Sequence, residues 1–412
     1  MPPRKDSVNL PPNDTSGQSP QHPSSLSVTA IIPQMLLQLP RELLVCIAEH
    51  LTATRDLNAF ARTNTYLYTL LNPFLYHNDV QHHGSSALLW AARHGGMTTA
   101  QKSAAAGAGL KSLEYSLMLA AVNDHEDVVK LLLAIEDVNP DSKGLDGRTP
   151  LSYAAEYGHE AVSKLLLATP GVNPDSKDIV GRTPLSYATK NENTAVLQLL
   201  LATGGVDPES KDCDDRTPLS YAAQGGTVEV VRLFLATEGV DPDSKDSNGV
   251  TPLSMAASTG RGATVKQLLG TDGVNPDSRD SNEQTPLSRA AKRGQLEVAE
   301  LLIATEGVNP DSRDSNGQTP LSHAAQFGKL AVVELLIARK GVNPDSRDNN
   351  GRSSLWYAAE YDHGAVFQLL LSTEGVDPDP KDLYGRPPPS FDLYRQTRWN
   401  SLDFLSSIKA RS

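Results

Sequence analysis

Cysteine is nearly missing from this chain, with Cys46 and Cys213 the only two in 412 residues. That count excludes a disulfide framework and a four-cysteine zinc site, and it suits a reducing intracellular compartment. Long apolar runs are missing too. Short leucine clusters such as Leu131–Leu133 are typical, and the longest apolar runs reach six residues, far below the roughly 18–20 residues that cross a bilayer, so no membrane span is expected. The N-terminus lacks the apolar core of a secretory signal. The expected location is therefore intracellular, in cytoplasm, nucleus or both. Positive charge is short as well: 37 Lys and Arg against 49 Asp and Glu leave a net charge of −12. That balance argues against nucleic acid as the main ligand, because phosphate binding needs a basic surface.

Catalytic and metal-binding patterns are equally scarce. No Gly-rich phosphate loop lies between a strand and a helix, and no His-x-x-x-His helix occurs. His82 and His83 are neighbours, so they point differently on any regular element, and no Cys lies near them. Cys46 falls in an apolar helical stretch, where it reads as a small hydrophobe. Cys213 falls in a turn with no His or cation pattern to activate it. No catalytic residue, cofactor or metal is expected, and the chain does not read as an enzyme.

What is present is repetition. A chain of 412 residues is too long for one ordinary core unless it is a repeat array. Thr-Pro-Leu-Ser recurs at Thr149, Thr183, Thr217, Thr251, Thr285 and Thr319, and a degraded copy stands at Ser353-Ser354-Leu355-Trp356. The step is 34 residues, and a Gly-Val pair keeps it from Gly171 to Gly375. Leu117–Ala121 fits the frame more weakly, and Leu88–Gly95 reads as an eroded first unit. After Gly385 the run Arg386-Pro387-Pro388-Pro389 spoils a helix, as a terminal cap would. Residues 1–33 are rich in Pro, Ser, Asn and Gln and too poor in apolar side chains to offset their ordering entropy, so they read as disordered.

Each unit reads as two short helices and a turn. In 147–180, Thr149 is a good N-cap and Pro150 suits the first helical position. Leu151, Ala154 and Ala155 line the first helix, which stops near Gly158. Val162, Leu165 and Leu166 form the stripe of the second. Gly171 is the expected left-handed residue at its C-terminus, with Val172 making the contact that follows. Asn173-Pro174-Asp175-Ser176 is turn chemistry. One unit alone exposes its leucine stripe, and stacking buries it.

The string Gly-Arg-Thr-Pro-Leu-Ser-Tyr-Ala-Ala at 147–155 resembles the ankyrin repeat, with Ser152 where that family most often has His. The resemblance covers 85–384 and implies an all-α solenoid of about nine helix-turn-helix units. It implies protein binding through the inner face, made of the turn before Thr-Pro and the end of the first helix. On that face the copies differ, and differing positions are free to serve a partner. The turn holds Leu145, Ile179, Val180 and Arg182 in early units and Ser, Asn and Gln later. Tyr157, Arg293, Phe327 and Tyr361 end first helices, with Lys190 among the residues beside that row. Aromatics and Arg are typical anchors. The candidate partner-binding residues are Leu145, Tyr157 and Ile179 near one end, and Arg293, Phe327, Trp356 and Tyr361 near the other. Drift among duplicated repeats is the competing explanation.

A basic row from Lys143 to Lys381 runs two residues from an acidic row, Asp141 to Asp379. Such close rows are expected to neutralise each other along a solvated edge. The unit 249–282 carries Gly260, Gly262 and Gly270 around and within its second helix, and Thr264 where its neighbours have an apolar residue, which suggests a soft joint at 261–270.

Residues 34–80 lie outside the repeats. Leu39-Pro40 opens a helix whose Leu43, Ile47 and Leu51 share a face. Asp56 can cap a second helix carrying Leu57, and a third carries Leu67, Leu70 and Leu71 before Asn72-Pro73 breaks it. The string Leu-Pro-Arg-Glu-Leu-Leu-Val-Cys-Ile-Ala-Glu-His-Leu at 39–51, with Asp56-Leu57, resembles the F-box, in particular F-boxes that precede ankyrin arrays in filamentous fungi. Many F-boxes carry Trp where this chain has Leu67. The resemblance implies docking to the Skp adaptor of a cullin ubiquitin ligase through Leu39, Pro40, Leu43, Ile47, Leu51 and Leu57. The chain would then be the substrate-receptor subunit, holding an unidentified protein on its repeats. The alternative is an ankyrin scaffold without a ubiquitin role, its N-terminal helices capping the array. Residues 385–412 are expected to be a degenerate cap and tail, in which Trp399 and Phe404 could form a small docking helix.

Overall fold

A computed structural model describes residues 39, 40, 43, 44, 47, 65–225 and 227–388. The chain divides into two units, 1–83 and 84–412. The expected disorder of 1–33, the helix at Asp56, Leu51, Leu57, Cys46 and the tail residues Trp399 and Phe404 lie outside the described residues.

Among the described residues of the second unit, eighteen helices form nine pairs. Two pairs precede the clear repeats: α2 Ser86–His94 with α3 Met97–Ala105, and α4 Leu110–Val122 with α5 Glu126–Leu133. Seven follow in step: α6 Pro150–Tyr157 and α7 Glu160–Leu167, α8 Pro184–Lys190 and α9 Thr194–Leu201, and α10 Pro218–Gly225 and α11 Val228–Leu235. Next come α12 Pro252–Thr259 and α13 Gly262–Leu269, α14 Pro286–Arg293 and α15 Leu296–Ala304, α16 Pro320–Gln326 and α17 Leu330–Ile337, and α18 Ser354–Glu360 and α19 Gly364–Leu371. First helices pack on first helices of the next repeat, and second on second. No β-strand forms among the described residues; one isolated bridge joins Arg347 and Ser353. The expected all-α repeat solenoid is what forms.

The local reasons are those of the motif. The amide of the residue three beyond each cap donates to the cap hydroxyl at 3.2–3.3 Å in all seven copies, from Thr149 to Ser353. Loss of such a cap costs about 1 kcal/mol. Leu151, Ala154 and Ala155 are buried on α6, and Val162 and Leu166 on α7, while Leu165 is half-buried. Each fully buried Leu or Val contributes about 1.5–3 kcal/mol. Gly158 closes α6 at φ 75°. A Cβ there would stand 2.7 Å from Asn193, whose amide donates to the carbonyls of Ala155 and Glu156 at 2.8 Å each. The glycine thus admits a side chain of the next repeat that satisfies the open carbonyls of this one.

Three local expectations are corrected. Gly171 is left-handed at φ 91°, but α7 already ends at a right-handed cap, Ala168. Gly171 therefore belongs to the turn after the helix, and the last carbonyls are met by tightened bonds at Ala168 and Thr169. In 249–282, Gly260 is the left-handed cap of α12, Gly262 opens α13, and Gly270 caps its end. None is interior, so the interior glycine penalty does not apply, and Val265 and Leu268 are fully buried.

The third correction lies in the first unit. Helix α1, Thr65–His82, runs through Pro73 instead of stopping at Asn72. Leu44, Leu67 and Leu71 form a buried cluster, against which Leu39, Leu70, Phe74 and Leu75 pack. Phe74 and Leu75 lie beyond the proline yet belong to the same cluster. Both are half-buried, and their packing works against a proline penalty of about 3 kcal/mol.

Candidate functional site

The face that varies between repeats is built from loop tips and first helices. Each tip hangs on the one before it by one backbone bond: Ile179 N to Asp146 O at 3.1 Å, Cys213 N to Val180 O at 2.9 Å, and so on to Leu383 N on Asn350 O at 2.8 Å. The tips therefore form a continuous row whose side chains project freely. Leu145 is fully exposed and Ile179 is 73% exposed. Cys213, Ser247, Ser281, Ser315 and Asn349 follow, all exposed. The row ends on Leu383 and Tyr384, also exposed. It is thus apolar at both ends and mostly polar between them. Leu383 and Tyr384 escaped the sequence reading, although the frame places Leu383 in register with Leu145 and Ile179.

Behind each tip an aspartate organises the loop. Oδ1 of Asp178 accepts from the amides of Val180 and Arg182 at 2.9 and 2.8 Å, and Asp212, Asp246, Asp280, Asp314 and Asp348 repeat the pattern. The second oxygen takes a side chain from the first helix, nine residues on. Tyr187 donates to Asp178 at 2.5 Å, Arg289 to Asp280 at 2.5 Å and Tyr357 to Asp348 at 2.7 Å. Tyr221 donates to Asp212, and His323 Nε2 lies 3.0 Å from Asp314. Met255 stands at this place in 249–282 and has no proton to give. In the first copy Gly144 replaces the aspartate, and Tyr153 reaches Asp146 at 3.0 Å instead.

Electrostatics follow from burial. Burial, then the hydrogen bond to Asp146, pushes Tyr153 up to about 12. Tyr187, Tyr221 and Tyr357 are raised further for the same two reasons, so these hydroxyls stay protonated and act as donors. Burial alone would raise Asp314, but the hydrogen bonds from His323 and the amides of Gln318 and Asn316 pull it below the ordinary carboxylate range.

Beside the tyrosines runs a short arginine column. Arg148 pairs with Glu156 at 2.7 Å and Asp146 at 3.2 Å, and its guanidinium lies 4.2 Å from the Tyr187 ring centre. Arg216 pairs with Asp214 at 2.5 Å. Between them, a cavity of about 440 Å³ opens, lined by Arg182, Lys190, Arg216, Cys213, Tyr221 and Gln224 among others. Cys213 shares this wall with three cations, of which Arg182 and Lys190 come from earlier in the chain and only Arg216 is near it in sequence.

The two charged rows behave differently from the expected mutual neutralisation. The basic row binds backbone: Lys143 Nζ donates to Lys177 O at 2.8 Å, Lys177 to Lys211 O at 2.9 Å, and Arg313 to Arg347 O at 2.7 Å. Ion pairs between the rows form at Arg347–Asp345 and Lys381–Asp379. In the acidic row, Asp277 and Asp311 each accept from a serine of the next repeat at 3.2 and 3.1 Å. One oxygen of Asp141, Asp175, Glu209, Asp243, Asp277 and Asp311 is buried without a hydrogen-bond partner. Burial raises all six, and burial followed by Asp241 takes Glu209 to about 7.

Of the other candidate anchors, Tyr157 is 56% exposed and Phe327 and Tyr361 are exposed, as is Arg293. Lys292 Nζ sits 5.4 Å from the Phe327 ring centre, and Gln326 donates to Tyr361 at 3.4 Å, so Phe327 and Tyr361 belong to one run of helix ends. Trp356 differs from the exposed anchor expected of it, at 9% exposure. Its frame position is that of Ser152, which every copy buries, and Arg352 covers its ring at 5.3 Å. In the first unit Leu43 is 51% exposed, Pro40 is exposed, and Leu39 and Ile47 are half-buried.

No group of three or more metal-ligating side chains occurs among the described residues, and no described helix is long and apolar enough to cross a membrane. A family model described as ankyrin repeats in three copies matches residues 88–178, 117–212, 168–246, 185–280, 219–314 and 287–382. No curated protein matches the chain.

Proposed function

The chain belongs to the ankyrin-repeat family, a fold whose use is protein–protein binding, and from that premise we propose that it is the substrate receptor of a Skp–cullin–F-box ubiquitin ligase. The observation that carries the gripping part is the apolar end of the tip row. Leu145 and Ile179 stand exposed on adjacent tips, where burial against a partner would release about 25 cal/mol per Å² of apolar surface. The adaptor part rests on the F-box-like string at 39–51, whose Pro40 and Leu43 are exposed beside a packed leucine cluster. The receptor acts by proximity alone: it holds the substrate while the ligase core brings the conjugating enzyme to it. No bond chemistry is assigned to the chain itself.

The test uses the full chain with a purified Skp adaptor, wild type against a Leu39→Ala/Pro40→Ala variant. The adaptor is expected to be retained by the wild type and lost by the variant. A wild-type chain that retains no adaptor leaves an ankyrin scaffold without a ubiquitin role.

A further inference from the structure

We infer that the cavity at the junction of repeats 181–214 and 215–248 receives an acidic side chain of the bound protein. The inference rests on the partner-binding reading above and names the partner's chemistry. Arg148 and Arg182 occupy the same frame position, one step apart, and differ in company. Arg148 has Asp146 two residues before it and Glu156 eight residues after, and it pairs with both. At those two places Arg182 has Val180 and Lys190. Both acids are gone, and one has become a second cation.

The remaining carboxylates of the cavity wall are already engaged. Asp212 accepts from two amides and from Tyr221, and Asp214 holds Arg216 at 2.5 Å. Arg182 has a ring contact with Tyr187, at 5.6 Å to its centre, and no salt bridge. Lys190 is exposed at the end of α8. The wall of this concavity of about 440 Å³ therefore carries three cations, Arg182, Lys190 and Arg216, against Asp212 and Asp214, and of the three only Arg216 is held in an ion pair, in a chain whose net charge is −12.

A planar guanidinium takes a carboxylate through two parallel bonds, and the lysine adds a point charge from the side. The exposed Ile179 tip stands three residues before Arg182 in the same loop. The fitting partner is therefore a protein segment with Asp or Glu near a large apolar residue. A nucleic acid fits less well, because a run of phosphates needs an extended basic track, and Arg148 and Arg216 on either side are already paired.

A randomised dodecapeptide display library selected on the full chain tests this. Enriched peptides are expected to carry an acidic residue at fixed spacing from an apolar one. The best of them, made with a fluorescein label, is expected to lose about tenfold in affinity, or about 1.4 kcal/mol, with Lys190→Glu and with Val180→Asp. Each variant restores one acid found beside Arg148; Lys190 is exposed, and Val180 is half-buried. Lys164→Glu, the same charge change on α7, is expected to leave affinity unchanged. Enriched peptides without an acid, or unchanged affinity in both variants, would overturn the acidic pocket and leave the gripping face intact. Enrichment of no peptide would sink both readings. Equal competition by a single-stranded oligonucleotide would make the ligand a phosphate backbone and overturn the proposal. A phosphoserine peptide that outbinds its glutamate counterpart would support the pocket with phosphate as the preferred anion.

Discussion

Repeats 147–248 and 249–350 solve the same problem with different side chains. Both carry a loop aspartate whose second oxygen needs a donor. In the first stretch the donors to that acid are Tyr187 and Tyr221, with Arg182 and Arg216 held in the loop. In the second the loop arginine becomes Val250, Gln284 and Gln318, and the helix position becomes Met255, Arg289 and His323. The cation has moved from loop to helix. In 351–384 the first arrangement returns, with Arg352 and Tyr357 both on Asp348. The helix donor to this acid is Tyr, Arg or His in different copies, and Asp246, opposite Met255, goes without one, so the choice of donor is free to set the charge of the binding face.

The largest expected effect breaks this equivalence at Arg289. Asp280 is almost fully buried and pairs with Arg289 at 2.5 Å, so Arg289→Met strands a carboxylate and should cost about 3 kcal/mol. Urea unfolding followed by amide exchange at 280–293 measures it. A loss below about 1 kcal/mol would mean that the two backbone amides suffice and the donor is ornamental. Tyr221→Phe removes a neutral donor from Asp212 and should cost about 2 kcal/mol. Met255→Tyr runs the comparison in reverse. Asp246 lacks the helix donor and is less buried than Asp212 or Asp280, so supplying one should stabilise 249–282 by about 1 kcal/mol. A neutral or destabilising result would show that Asp246 is already satisfied by water.

Much of this was legible in the sequence, and for a physical reason. Caps, apolar stripes and turn residues repeat every 34 residues, and each acts within one repeat, so a single unit states the local rules. The nine pairs and the Thr149-type caps follow directly. What spans repeats was harder to see. Lys143 meeting the carbonyl of Lys177 is invisible to a reading that pairs rows by charge alone. Asn193 reaching back past Gly158 leaves no charge pattern to read. Trp356 was misplaced because its size suggests an anchor, while its frame position is that of buried Ser152. Pro73 was misread because local breaking power says nothing of Phe74 and Leu75 packing beyond it. The loop aspartate and its donor stand nine residues apart, and their pairing shows only when the copies are laid side by side.

Glu209 gives a weaker, pH-dependent contrast, for its row is Asp in every other copy from Asp141 to Asp379. Its carboxyl is raised to about 7, by burial first and then by Asp241, against about 4.3 in the unfolded chain. Between those values the folded state holds more protons, so stability is highest at the acidic end and falls as pH rises through about 7. Glu209→Gln should flatten that slope in thermal unfolding between pH 5 and pH 8. A slope that persists unchanged would assign it to another group of the row.

The smallest expected effect sharpens the same comparison at the second helices. Gly270 caps α13 at φ −87°, where Ala168, Ala202, Ala236 and Ala338 cap their counterparts with similar backbone. A Cβ at Gly270 would meet the carbonyl oxygens of Lys266 and Gln267 at 3.6 and 3.7 Å, ordinary contact distances. Gly270→Ala should therefore stabilise by about 0.4–1 kcal/mol, chiefly by narrowing the unfolded ensemble. Amide exchange at 261–270, compared with 229–236, reads it directly. If the native chain already protects both segments equally and the alanine changes neither, the glycine makes no soft joint, and the two halves of the array differ in how they hold their aspartates and not in stiffness.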